Sequence, residues 1–199
     1  MSKIYTGYNY CFVDVETTGT DPAEHEIHQL SCIITDPNLI ELGSVDLKFR
    51  PASRGFQPSA LEVGGVTHDE LMSRKMTSND AYLQFVNLLS KHCDKFNKAD
   101  KMHFVGYNAR FDSDFVRAFF AKNSDNYYGS WFWNPALDVM AGAAWFAQRV
   151  RGAFPNFKLG TVCQSAELGW DQTQAHDGLY DVRKTIELFR YLQTNMDIL

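Results

Sequence analysis

No two cysteines of this 199-residue chain lie close enough to pair in a CxxC motif. Cys11, Cys32, Cys93 and Cys163 are scattered, which excludes a zinc-finger spacing and a disulfide framework. Three of the four sit among apolar neighbours and read as small core residues. The N-terminal MSKIYTGYNY lacks the charged-then-apolar order of a secretory leader. No apolar run approaches the ~18 residues that a membrane crossing requires. The expectation is a soluble, cytoplasmic protein with no membrane partner. Basic excess is absent too. The formal net charge is −5, which argues against a protein that coats long stretches of duplex through many phosphate contacts. Internal repeats, low-complexity tracts and shifts of composition are also missing, so residues 1–199 read as one domain.

What is present is apolar and aromatic. Hydrophobic residues make up 45% of the chain, enough for a substantial core. Tyr8–Val15, Ile27–Thr35 and Leu39–Phe49 read as three successive strands joined by turn residues, an antiparallel meander. The period then changes. Tyr82, Phe85, Val86, Leu89 and Cys93 mark a helix over Ser78–Phe96, with Ser78 as its cap. Short strands at His103–Tyr107 and Ala136–Val139 alternate with helices at Arg110–Lys122 and onward to Val150. Helices near Leu159–Glu167 and Gly178–Thr194 close the chain. Asn123–Asn134 reads as an aromatic loop. The fold class expected is α/β, a mixed five-stranded sheet with meander and parallel strands, flanked by helices.

Chemistry concentrates in three segments. In Asp14-Val15-Glu16 the two acids project from one face of a strand, while Val13 and Val15 face the other way. Like charges so placed repel, and a divalent cation removes the repulsion. Thr17-Thr18-Gly19 adds hydroxyls and a turn suited to holding a polar substrate end. Asp112 opens a helix after Asn108, where it also favours the helix dipole. Asp181 follows His176 by five residues, ~140° apart on a continuous helix, so the two converge only if the helix begins between them. Gly178 makes such a break plausible.

The segments DVETTG, GYNARFD and HDGLYD, in this order, resemble the three motifs of the DEDDh group of 3′→5′ exonucleases. That group includes the proofreading subunit of bacterial replicases, ribonuclease T and exonuclease I. SWFWNPALDVM, FKLGTVC and AHDGLYDVRKTIELF look most like the nuclease domain of exonuclease I. The resemblance implies a ribonuclease-H-like fold. It implies metal ligation by Asp14, Glu16, Asp112 and Asp181, with two Mg²⁺ ions (Mn²⁺ substituting), and a general base at His176. The substrate implied is a single-stranded DNA 3′ end, released as nucleoside 5′-monophosphates. The alternatives are an RNA 3′-end-trimming relative and an inactive nucleic-acid-binding module. Exonuclease I carries further domains after its nuclease core, so weak processivity is expected here.

Other residues read two ways. Gly64-Gly65-Val66-Thr67-His68 resembles the family loop that approaches the terminal base, or is a turn in which Thr67 caps a helix His68–Ser73. Asn108 orients the site or forms a turn, and Asp138 is a cap or a supporting residue. Tyr127, Tyr128, Trp131, Phe132 and Trp133 are candidates for base stacking, with Trp131 foremost. Phe111, Phe115, Phe119 and Phe120 recur at helical spacing and belong to the core. Gln193–Leu199 loosely resembles the peptides that dock on sliding clamps, a replication partner, although an apolar helix end explains the same residues.

Overall fold

The computed structural model describes residues 7–52, 55–175 and 177–196. Five strands form one mixed sheet: β1 (Tyr10–Thr17), β2 (Ile27–Thr35), β3 (Glu41–Lys48), β4 (Met102–Gly106) and β5 (Phe132–Asp138), in the order β3-β2-β1-β4-β5. The meander is antiparallel, whereas β4 pairs parallel to both β1 and β5. The fold class expected from the sequence is the one observed.

Two apolar layers cover the sheet. Cys11, Val13 and Val15 on one face of β1 pack with Phe85, Phe115, Phe119 and Phe120. These rings come from α3 (Ser78–Ser90) and α4 (Ala109–Lys122), as the helical spacing anticipated. Phe12, from the opposite face of β1, packs with Val105, Val139, Cys163, Val182 and Ile186. That second layer is built by α6 (Val139–Phe146), α7 (Leu159–Ser165) and α8 (Gly178–Met196). Each fully buried side chain of this size stabilises the fold by roughly 1.5–3 kcal/mol. Among the described residues no helix is long and apolar enough to cross a membrane.

Several boundaries differ from the sequence expectation, each for a local reason. Leu39 has φ 62 and belongs to a turn, not to β3. The Asp36 carboxylate holds that turn, accepting from the Asn38 and Ile40 amides at 2.8 Å each. Thr77, not Ser78, caps α3: its hydroxyl accepts from the Asp80 amide while the Asp80 carboxylate accepts from the Thr77 amide, a reciprocal box. Two short helices were unanticipated, α1 (Pro58–Val63) and α5 (Tyr128–Trp131), and α2 (His68–Ser73) intervenes before α3. After α6 the chain continues in a 3-10 turn, Gln148–Ala153, rather than one helix to Val150. At the C-terminus, Gln193–Met196 is the end of α8, and residues 197–199 of the clamp-like tail lie outside the described residues.

Candidate active site

The acids of the three motifs come from three elements that meet where β1 and β4 end. Asp14 and Glu16 alternate with Val13 and Val15 along β1, so both point away from the α3/α4 layer. The α4 helix starts just past β4, and its first turn carries Asp112 back to the sheet, where Asp112 Oδ1 accepts from the Val15 amide at 3.1 Å. Gly106 allows this approach: a Cβ there would stand 3.3 Å from Asp112 Oδ2 and from the Val13 carbonyl. From the other layer, α8 begins at Gly178, where a Cβ would meet Ser31 Oγ at 2.5 Å and Asp14 Oδ2 at 3.3 Å. Only glycine lets the start of α8 settle on β1 and β2 so closely, and Asp181 lies in its first turn.

Mutual repulsion records the convergence. Loss of bulk water and then the charges of Asp112, Glu16 and Asp181 push the Asp14 carboxyl well above the usual carboxylate range. Burial, with Asp181 nearby, raises Glu16 to about 7. Burial raises Asp112 to about 8 although the Val15 amide pulls the other way. Carboxyls so shifted favour either protons or a bound cation. Among the described residues no three such side chains form a ready-made cage for an ion. The donor set nevertheless suits hard divalent cations, because it is all carboxylate oxygen.

His176 lies outside the described residues. Its neighbours are placed: Asp177 accepts from the Asp181 and Tyr180 amides, opening α8 immediately after the histidine. The helix thus begins between positions 176 and 181, the condition under which the two side chains could converge.

The remaining candidates divide. The Gly64–Thr67 loop is beside the acids, with Gly64 standing 3.8 Å from Glu16 Oε2 by the position of a Cβ. Gly65 has φ +61 and open space around it, and Val66 follows half-buried. Thr67 is the helix cap, accepting from the Glu70 amide at 3.2 Å. Asn108 sits at φ 66 before α4, with its amide donating to Asp138 Oδ1 at 3.2 Å. Asp138 in turn caps α6 through the Ala141 amide. The hydroxyls of Thr17 and Thr18 are turned into the loop: Thr17 donates to the Gly19 carbonyl at 2.6 Å and Thr18 to the Gly55 carbonyl at 2.7 Å, which leaves the backbone of this segment as the part that could meet a substrate.

Trp131 is a correction. It is 1% exposed and packed into the α3/α4 layer, as are Tyr128 and Phe132. Of the five aromatics, Tyr127 alone is largely open, at 65%. Trp131→Ala is expected to cost about 3–5 kcal/mol of stability by leaving a cavity, while KM of the folded protein for a trinucleotide is unchanged. Denaturant titration and kinetics below the melting transition check both halves.

Sequence reasoning missed a depression of about 700 Å³ that opens beside Asp181 and is lined by Val63, Tyr107, Phe157, Leu159 and Trp170. The Tyr107 hydroxyl donates to the Phe157 carbonyl at 2.6 Å, and Trp170 packs over Gly160 and against Tyr180. These residues are distant in sequence and share no pattern that would have grouped them.

A mixed sheet whose converging acids lie at the ends of its central strands is the architecture of a nuclease, and the exonuclease family typified by ribonuclease T matches residues 11–189. The chain belongs to that family and is a 3′→5′ exonuclease; the family is metal-dependent. It is similar to the 3′-5′ DNA exonuclease Cap18 of Escherichia coli, 27% identical over 183 residues that cover 90% of this chain and 89% of that protein. It is also 28% identical to exodeoxyribonuclease I of E. coli K12 over 93% of its own length, but spans only 40% of that relative. The zinc-bound complex of E. coli exonuclease I with single-stranded DNA superposes with TM-score 0.75 at 25% identity, covering 94% of this chain and 41% of that one.

Proposed function

We propose that the chain is a single nuclease domain that removes nucleotides from the 3′ end of single-stranded DNA and releases nucleoside 5′-monophosphates. The observation that carries this reading is the meeting of Asp14, Glu16, Asp112 and the first turn of α8 at one end of the sheet, with their carboxyls pushed towards neutrality. In this reading Asp14, Glu16, Asp112 and Asp181 hold two Mg²⁺ ions, with Mn²⁺ an effective substitute. When bound, the ions supply positive charge to the scissile phosphodiester and to the water that attacks it. His176 takes that water's proton as its oxygen bonds to phosphorus, the bond from phosphorus to the 3′ oxygen of the preceding nucleotide breaks, and that oxygen takes a proton from solvent. The Gly64–Thr67 loop and the depression beside Asp181 flank the place where the terminal nucleotide would sit. DNA as substrate is supported by Cap18, a DNA exonuclease, and its single-stranded form by exonuclease I in its complex with single-stranded DNA.

The test is release of labelled nucleotides from a single strand with Mg²⁺. Turnover is expected to stop with EDTA or with a blocked 3′ terminus, and blunt duplex is expected to react more slowly because each melted step costs about 1.4 kcal/mol. His176→Ala is expected to lose about 10²–10⁴ in rate while still binding metal. Cleavage of closed circular strands, or full activity in chelator, would overturn the reading. RNA degraded in preference to DNA would change the substrate class.

A further inference from the structure

The mechanism leaves a basic and aromatic surface unused. It is built by the turn after α3, Lys91–Lys101, where Lys91, Lys95, Lys98 and Lys101 fall within eleven residues of a chain whose net charge is −5. The two acids of the turn are committed to its backbone. Asp94 Oδ1 accepts from the Phe96 amide at 3.0 Å, and Asp100 Oδ2 from the Asp94 amide at 2.9 Å. Among the described residues none of the four lysines, nor nearby Arg117, has a carboxylate within ion-pair distance.

Aromatic rings hold several of these cations in place. Lys95 Nζ lies 5.5 Å from the Phe96 ring, 6.0 Å from Tyr127 and 5.5 Å from Trp131. Lys101 Nζ lies 5.3 Å from Trp133 and donates to the Gly129 carbonyl at 2.6 Å, while the Arg117 guanidinium covers Tyr128 at 4.4 Å. Phe96, 86% exposed, and Tyr127, 65% exposed, stand open to solvent among the charges. Two depressions continue the surface. One of about 600 Å³ is lined by Asn9, Lys91, Lys95 and Phe96, and one of about 490 Å³ by Lys101, Arg117, Trp133 and Ser113. Ser113 follows Asp112 on α4, so the second depression reaches from the first turn of that helix to the lysine turn. Asn9 precedes β1, and the ~3.3 Å rise per strand residue puts it about 17 Å from Asp14.

We propose that this surface binds single-stranded nucleic acid upstream of the reacting 3′ end. The inference rests on the nuclease reading and adds to it a second contact with the same strand. Cations along such a surface attract the phosphates of a flexible strand without demanding a sequence, and exposed rings among them take unpaired bases by stacking. A bare protein partner would be served by the rings but not by five cations lacking acidic partners.

The test uses the full chain with Lys91→Glu/Lys98→Glu, with Lys91→Arg/Lys98→Arg and with Phe96→Ala, all at exposed positions. Binding is read by fluorescence anisotropy on a labelled strand of about 20 nucleotides, a length that spans both contacts, and turnover on that strand and on a trinucleotide. The charge reversal is expected to weaken binding of the long strand about tenfold or more and to lower its salt slope by about 1.4, at ~0.7 per phosphate contact. The arginine pair should bind like the parent, and Phe96→Ala should weaken binding about fivefold or more. Trinucleotide turnover should be unchanged throughout. Unaltered affinity and salt slope in both the reversal and Phe96→Ala would overturn the proposal, as would equal losses on the trinucleotide. If the parent cleaved neither substrate yet the reversal still lost affinity, the nuclease reading would fail and the surface would stand.

Discussion

Asp14→Asn is expected to reduce kcat by more than 10³-fold and, in the same protein without metal, to raise the melting temperature. The two effects share one cause. Asp14 carries the repulsion of three other acids, Asp112, Glu16 and Asp181, in a place shielded from bulk water. An amide keeps the shape and needs neither a proton nor a cation to be neutral, so the apo fold is spared the cost of neutralising a buried carboxyl. With the charge goes one of four proposed metal donors, and with it the clamp on the phosphodiester. Calorimetry with and without Mg²⁺ separates the outcomes. The parent should gain stability on adding metal, ~2.7 kcal/mol at a hundredfold excess over Kd, and the variant should gain little. A variant that stayed active, or that melted lower than the parent in EDTA, would remove Asp14 from the role given to it.

The stability of the metal-free protein should fall as pH rises from about 6.5 to about 8.5. Glu16 and Asp112 titrate at about 7 and about 8 in the fold, against ordinary values of 4.5 and 3.8. The folded state therefore keeps protons that the unfolded chain has released. This contribution is whole below the ordinary carboxylate range and is lost as pH climbs through the folded values. His28 acts in the opposite sense, since burial lowers it to about 4 from 6.5. Its contribution grows only until the unfolded histidine is neutral, at about pH 7.5, so it offsets part of the start of the trend and none of the rest. Asp36 and Asp80, lowered by local hydrogen bonds, titrate only in acid. Thermal melts in EDTA should show a falling transition across that window, and Mg²⁺ should flatten it. A rising transition in EDTA would contradict the burial of these acids.

Much of this site was legible because strand alternation is strict. Asp14 and Glu16 had to share a face once Val13 and Val15 were assigned to the core, and Phe115, Phe119 and Phe120 announced α4 by their spacing. The helix start before Asp181 was suggested by Gly178 and by the angle that a continuous helix would put between residues 176 and 181. What stayed hidden has no periodic signature. The α1 helix buries none of its residues, so no apolar face marks it. Trp131 and Tyr127 belong to one aromatic run, and nothing local says that one is sealed and the other open. The threonines after Glu16 have the hydroxyls a substrate end needs, but loop carbonyls at Gly19 and Gly55 claim them. The capping box at Thr77 was readable from Asp80 three residues on, whereas the left-handed backbone at Leu39 was not.

The four cysteines give the molecule an internal clock for its own opening. All are buried free thiols, and they are divided between the two sides of the sheet: Cys11, Cys32 and Cys93 lie under α3 and α4, Cys163 under α8. Burial lifts Cys93 to about 11 and Cys163 to about 12, so the closed protein offers an alkylating reagent almost no thiolate. Modification then proceeds through exposure, and the rate at each sulfur measures how often its own layer separates from the sheet. Since α8 brings Asp181 to the proposed metal-binding carboxylates while α4 brings Asp112, labelling at Cys163 against Cys11 distinguishes which half of the site comes apart first.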